Sequence, residues 1–375
     1  MRIGIFLHPY DEAKPAGLGR YILELTKALV VAETAHTFVI FLKRRPAHSP
    51  LPESDRVQYV YGAGGPARQS RSKAMAGGFF WMDRLIGKGP PCDAYLFNTP
   101  IVPLFRKPGR FIVISLDFAY RTLPARGLRE TLRRRLLFWY HRFSLRRASR
   151  VVAISGATRK ETCLLFGIPE ERVSVVYPGF NNICALPEKE VPALPKHFFL
   201  FVGALKERKN VHRIIEALAY AGERGLRGER LLIVGGGGSA YEEFLRQRVA
   251  ELHLSERVVF LGYRSDEELS FLYKHALALV FPSLVEGFGF PVLEAFACGT
   301  PVITSKISSL IELGGGGAAE VVDPYNISAI AGAMVRVATD SAHREELIRR
   351  GRERAGEFSW EKCAREFLAH IEQHP

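Results

Sequence analysis

The chain has 375 residues, 47% apolar and 24% charged, a length and balance that exclude a disordered or fibrous chain and predict two globular domains. No apolar run reaches the roughly 18 residues needed to span a bilayer. Five scattered cysteines (92, 163, 184, 298 and 363) form no CxxC or Cys/His cluster, so neither a disulfide framework nor a zinc site is expected, and a reducing cytoplasm is the natural compartment. The net charge of +13 is uneven: residues 121–150 hold ten arginines and one glutamate, which points to a local anionic partner.

The first element, "RIGIFL" (2–7), is a short apolar run that reads as a buried strand, and Asp11 and Glu12 follow too soon for a secretory signal. "LGRYILELTKALVVA" (18–32) repeats Leu18, Tyr21, Ile22, Leu25 and Leu29 at helical spacing. "TFVIFL" (37–42), "VQYVY" (57–61), "AYLFN" (94–98), "FIVIS" (111–115) and "VVAIS" (151–155) read as further buried strands, and "VSVVYPGF" (173–180) ends this half. Apolar strands separated by helices predict an α/β fold with a parallel sheet covered on both faces.

Residues 185–196, "ALPEKEVPALPK", hold three prolines and mixed charge and form the candidate linker. The pattern then restarts. Strands are expected at 197–203, 230–234, 257–262, 277–281, 301–305 and 318–323, with helices at 210–225, 241–254 and 265–276. The last of these opens on a Ser cap with acids in its first turn. Two successive βα arrays predict two Rossmann-like domains with an interdomain cleft, lined by the loops at the carboxyl ends of the strands.

Three loops carry chemistry. In "FPSLVEGFGFPVLEAFACGTPVITS" (281–305) a helix is expected to start at Pro291, which places Glu286 in the preceding loop and Glu294 in the first turn. Gly287 and Gly289 permit close backbone approach, and the amides around Gly289 and Phe290 form an anion site at a helix N-terminus. Carboxylates can accept from vicinal hydroxyls, and sugars and riboses present such pairs. Alternatively, Glu294 complements the helix dipole and Glu286 faces solvent. After strand 197–203, "KERKN" supplies Arg208 and Lys209, either as a cationic grip or as a solvated turn; Lys206 is the surface residue. "AGLGR" (16–20) places Gly17 and Gly19 before a helix, but it reads GxGxxI and lacks the third glycine of a dinucleotide fingerprint.

"EGFGFPVLEAFACGTPVITS" resembles the Glu-x7-Glu signature of the family 4 retaining glycosyltransferases, which have the GT-B fold. "FFLFVGALKERKNVHRIIEAL", "VVAISGATRKETCLLFGIPEERVSVVYPGFN" and "AGLGRY" resemble further segments of that family in the same order. The resemblance implies an acceptor-binding domain at 1–185, a nucleotide-sugar domain at 186–357 and a helix at 358–375 crossing back to the first domain. It implies that Glu286 orients the transferred sugar and Glu294 holds the ribose. Arg208, Lys209 and the amides at Gly289 and Phe290 would stabilise the departing diphosphate. Gly17 and Gly19 would contact diphosphate or acceptor. The acceptor hydroxyl would attack from the leaving group's face and pass its proton to the leaving phosphate.

No D-x-D occurs in the sequence, so a metal-independent reaction is expected, with Lys and Arg neutralising the diphosphate. "VGALKERKN" looks most like members using GDP-mannose, and the expected acceptor is a glycan or a polyprenyl-linked glycan in surface polysaccharide synthesis. Where many members carry His-Asp, this sequence has Leu116 and Asp117. The Leu116 carbonyl can still face the sugar, and Asp117 either serves the acceptor as base or caps the next turn. Other NDP-sugars and a GT-B UDP-sugar epimerase are alternative readings.

The segment 126–150 has Leu128, Leu132, Leu136, Tyr140 and Phe143 at spacings of four and three, with arginines over much of the rest. It reads either as a core helix with a solvated basic face or as a peripheral contact with an anionic membrane. A nucleic-acid contact explains the charge but not the acidic loop, and no binding module is present. Residues 65–89 form a second basic and aromatic stretch, a candidate acceptor-facing loop.

Overall fold

A computed structural model describes residues 1–8, 17–62, 80–122, 124–125, 127–236, 238 and 240–372. It divides into two units, 1–179 with 359–375, and 180–358.

The first unit holds β1 (Arg2–Phe6), α1 (Gly17–Val31), β2 (Thr37–Leu42), β3 (Val57–Tyr61), α2 (Trp81–Ile86), β4 (Ala94–Phe97), β5 (Arg110–Ser115), α3 (Ala119–Thr122), α4 (Leu128–Arg147), β6 (Arg150–Ala153), α5 (Gly156–Phe166) and β7 (Val173–Val175). Its sheet runs β3-β2-β1-β4-β5-β6-β7, with every pairing parallel. Strands such as β4, buried at every residue, show why these runs are apolar on both faces. Helices end where the chain chemistry directs. Ser155 caps α5 through its side chain, and Gly167 closes it in the left-handed conformation at φ 62°.

The second unit holds β8 (Phe198–Val202), α6 (Val211–Gly222), β9 (Arg230–Val234), α7 (Ala240–Glu251), β10 (Val258–Gly262), α8 (Asp266–His275), β11 (Ala278–Phe281), α9 (Phe290–Cys298), β12 (Val302–Ser305), α10 (Leu310–Gly314), β13 (Glu320–Val322), α11 (Ile327–Thr339) and α12 (Ser341–Ala355). Its sheet runs β10-β9-β8-β11-β12-β13, also parallel. The expected Ser cap of α8 is a complete capping box between Ser265 and Glu268. The chain order reverses between β8 and β11, so the loops leaving these two strands flank a topological switch point, where such sheets bind ligands.

Three expectations need correction. The unit boundary falls at 179/180, not 185/186. Gly179 packs so closely on Ser359 and Trp360 that a side chain there would meet their backbone, which ties it to the first unit, while Ile183 is already buried in the second. The first helical residue of α9 is Phe290, with Gly289 at the cap and Pro291 one position later. Cysteines 184 and 298 are paired as a disulfide, their Cα atoms 5.3 Å apart, where no disulfide was expected. The closing helix, α13 (Trp360–Glu372), belongs to the first unit, where Trp360 packs on Tyr21 and Glu372 bonds His36 at 2.8 Å.

Gly235, after β9, lies at φ 117°, and a side chain there would strike the Gly203 carbonyl of the loop after β8. Gly235→Ala is expected to lower stability by about 2 kcal/mol, read as a shifted urea midpoint.

Candidate functional site

The site is built where β8 and β11 lie side by side, Ala278 opposite Phe199 and Leu279 opposite Leu200. The basic loop after β8 ends in a short turn, Glu207–Lys209, and the acidic loop follows β11. Asn210 joins them. It is fully buried and left-handed at φ 62°, a conformation Asn tolerates. Its Nδ2 donates to the Pro282 carbonyl at 3.0 Å and to the Pro324 carbonyl at 2.7 Å. The Leu284 amide donates to the Arg208 carbonyl at 2.8 Å, and Arg208 Nη1 to the Val285 carbonyl at 2.9 Å.

These links converge three charges. Lys209 Nζ lies 2.5 Å from Glu286 Oε1, and Arg208 Nη1 lies 3.1 Å from Glu286 Oε2. Glu286 and Lys209 are each only 8% exposed, so neither is a solvated surface charge. Lys209 Nζ also sits 4.6 Å over the Phe281 ring. Burial pushes the Glu286 carboxyl up, but the charges of Lys209 and Arg208 outweigh it and hold the group below the usual carboxylate range. Glu286 is thus an ionised acceptor at neutral pH, fixed between two cations.

The loop after β12 clamps the Glu286 backbone from the other side. Ser308 Oγ accepts from the Glu286 amide at 3.3 Å and donates to its carbonyl, while Ser309 Oγ donates to the Phe288 carbonyl at 2.7 Å. Gly289 adopts φ 129°, and a Cβ there would come within 2.8 Å of Leu310. Its close approach therefore serves packing on α10. Glu294, half-buried in α9, accepts from the Tyr273 hydroxyl at 3.1 Å. Tyr273, Asn210, Ser308 and Ser309 were not found by sequence reasoning. Each is a common polar residue whose partner lies in another loop or helix, and only Asn210, beside the basic pair, carried a local hint.

The remaining candidates lie in the first unit. Gly17 opens α1 and Gly19 is buried within it; the residues before them, 9–16, and most of the basic stretch 65–89, namely 65–79, lie outside the described residues. Asp117 Oδ1 accepts from the Ala119 amide at 3.3 Å, which caps the turn into α3. Leu116 is buried, and its carbonyl accepts from the Thr158 hydroxyl at 3.1 Å. Beside Asp117, burial and then the Asp117 charge push the Glu161 carboxyl up to about 7.

Two parallel-sheet Rossmann-like units are the fold of the GT-B glycosyltransferases. Residues 15–182 match the Glycosyltransferase Family 4 family and residues 185–354 match Glycosyl transferases group 1. The chain belongs to this glycosyltransferase family. It is 28% identical to the O-antigen chain mannosyltransferase B of Escherichia coli over 92% of this chain and 93% of that one. It is 35% identical to the O-antigen chain mannosyltransferase RfbU of Salmonella typhimurium over 45% of this chain and 46% of that one. Among solved structures, the sucrose-phosphate synthase of Thermosynechococcus elongatus superposes with a TM-score of 0.77 at 21% identity, covering 99% of this chain and 98% of that one.

Two outcomes follow. Asn210→Ala leaves two buried carbonyls without their donor and is expected to cost roughly 2–4 kcal/mol by denaturant unfolding. Glu161 has a raised pKa in the folded chain. Below the ordinary carboxylate range both states hold its proton and it has no effect. From there up to about 7 the unfolded chain ionises first, so the native state loses stability, and above that the loss is complete. Glu161→Gln removes this loss, so its melting temperature relative to the parent should climb between pH 5 and pH 7 and then level off.

Proposed function

We propose that this glycosyltransferase transfers mannose from GDP-mannose, with retention and without a metal ion, to a glycan or polyprenyl-linked glycan in surface polysaccharide assembly. The observation that carries the donor site is the convergence of Arg208 and Lys209 on Glu286 at the β8/β11 switch point. The mannosyltransferase names of the relatives support the sugar.

In this reading the two cations have two jobs. They hold Glu286 ionised, and they face the diphosphate, whose negative charge grows as the glycosidic bond breaks. Donors placed on that growing charge act most strongly in the transition state. The α9 N-terminus at Gly289 and Phe290 adds the positive end of a helix dipole. Glu286 accepts from hydroxyls of the transferred sugar. Glu294, oriented by Tyr273, accepts from the ribose. The proton of the attacking hydroxyl passes to the leaving phosphate. The first unit binds the acceptor, with Asp117 beside Glu161 as its polar contact.

A thermal-shift panel of GDP, UDP, ADP and dTDP tests this reading. GDP is expected to raise the melting temperature selectively, and Lys209→Ala and Glu294→Ala each to weaken that response. Selective stabilisation by another diphosphate would reassign the donor, and an unchanged response in both variants would remove the donor-site assignment. In a transfer assay Arg208→Ala is expected to lower the rate on the order of 10²–10³-fold.

A further inference from the structure

We propose that the outward face of α4 is a docking surface for an anionic lipid bilayer. The spacing of its apolar residues resembles that of a helix packed on a core, yet the structure turns four of the five outward, with Trp139 beside them, and only Tyr140 is half-buried, donating to the Val102 carbonyl. Leu128 is 85% exposed, Leu132 58%, Leu136 60%, Trp139 65% and Phe143 39%. At roughly 100° per residue these five side chains cover about 80° of the helix surface, along about 22 Å of its length. The helix is anchored by the opposite side. Leu145 is fully buried, Phe138 stacks on Phe166 at 5.1 Å, and the His141 ring bonds the Tyr120 hydroxyl at 3.2 Å. A straight ridge of Leu, Trp and Phe facing solvent is costly for the isolated unit, and large exposed apolar patches mark interaction sites.

The charge around the ridge selects the partner. Arg135 and Arg142 border it on one side and Arg129 and Arg133 on the other, by the same helical geometry. The one acid of α4, Glu130, is taken by Arg134 at 2.5 Å. Arg142 stacks over the exposed Trp139 ring at 5.8 Å. At the C-terminal end Arg147 lies over Phe143 at 5.6 Å and donates to the carbonyls of Leu104 and Phe105. Phe105, 73% exposed, stacks on Phe80, so a further exposed aromatic pair lies at the loop to which Arg147 is bonded. An apolar ridge between two rows of guanidinium groups matches a plane of acyl chains beneath anionic headgroups. The apolar side chains enter the acyl boundary while the arginines stay at the phosphates. A protein partner would need two parallel acidic rails with an apolar groove between them. Among the described residues no helix is long and apolar enough to cross a membrane, so the contact is peripheral. Docking does not depend on which nucleotide the second unit binds.

The test is co-sedimentation of the full chain with phosphatidylcholine vesicles, with and without an equal part of phosphatidylglycerol. Binding is expected to need the anionic lipid and to fall roughly tenfold or more from low to high salt. Tryptophan emission should shift to the blue on binding; Trp139→Phe should remove most of that shift and keep the binding. Leu132→Asp with Leu136→Asp, and separately Arg129→Glu with Arg133→Glu, should each abolish sedimentation while the melting temperature and the nucleotide response stay as in the parent. Absence of sedimentation with anionic vesicles overturns the proposal, as does sedimentation that both double variants retain. A dimer in ultracentrifugation that the leucine variant converts to monomer would assign the face to a second copy instead. Tight binding of duplex DNA without vesicle binding would assign it to nucleic acid. A failed vesicle result with an intact nucleotide shift leaves the donor site standing, and the converse result leaves the docking surface standing.

Discussion

The second unit is organised around one buried carboxylate held by two cations. Removing Glu286 from water is unfavourable by itself, and Lys209 and Arg208 are what make it tolerable. The three side chains come from two loops 77 and 78 residues apart in sequence, brought together because β8 and β11 are neighbours in the sheet. Around them the fold spends hydrogen bonds on the backbone: Asn210 ties the two loops, and Ser308 and Ser309 hold the acidic loop from behind. A charged centre of this kind is fixed before any ligand arrives. That is the condition for cations to act on charge that develops during a reaction, since no reorganisation is then needed.

In the proposed mechanism this arrangement also links binding to chemistry. The cations that neutralise Glu286 are those that face the diphosphate. As the diphosphate draws on Arg208 and Lys209, the carboxylate becomes the stronger acceptor for a sugar hydroxyl. The ribose end is set separately, since Glu294 has its own partner in Tyr273 and sits in α9 itself, not in the loop.

The protein uses its positive charge in two ways. The site needs two cations, deeply set and matched to one acid. The segment 121–150 carries ten arginines, and on α4 they border a solvent-facing apolar ridge. The first kind of charge is screened little by salt and fixes geometry. The second is exposed, salt-sensitive and suited to attraction over a distance.

The sequence by itself determined the elements and the chemistry of the loops. Short, aromatic-rich apolar runs such as "FFLFV" read as strands buried on both faces, and Ser265 with Glu268 can be read as a cap because its partners are three residues apart. Glu286, Arg208 and Lys209 were legible as charges in the loops that follow buried strands, and it was the resemblance to a glycosyltransferase family that implied their roles. What lay beyond the sequence was every relation between distant residues. Asn210, Tyr273, Ser308 and Ser309 act through partners about 20 or more positions away. The pairing of Cys184 with Cys298 spans 114 residues, and the unit boundary shifted because Gly179 packs on Trp360. The same limit governs α4. Its periodicity gave an apolar stripe, but a stripe has no sign until the neighbours are known. Only the tertiary structure, by seating Phe138, His141 and Leu145 inward, decided that the leucines and Trp139 face out.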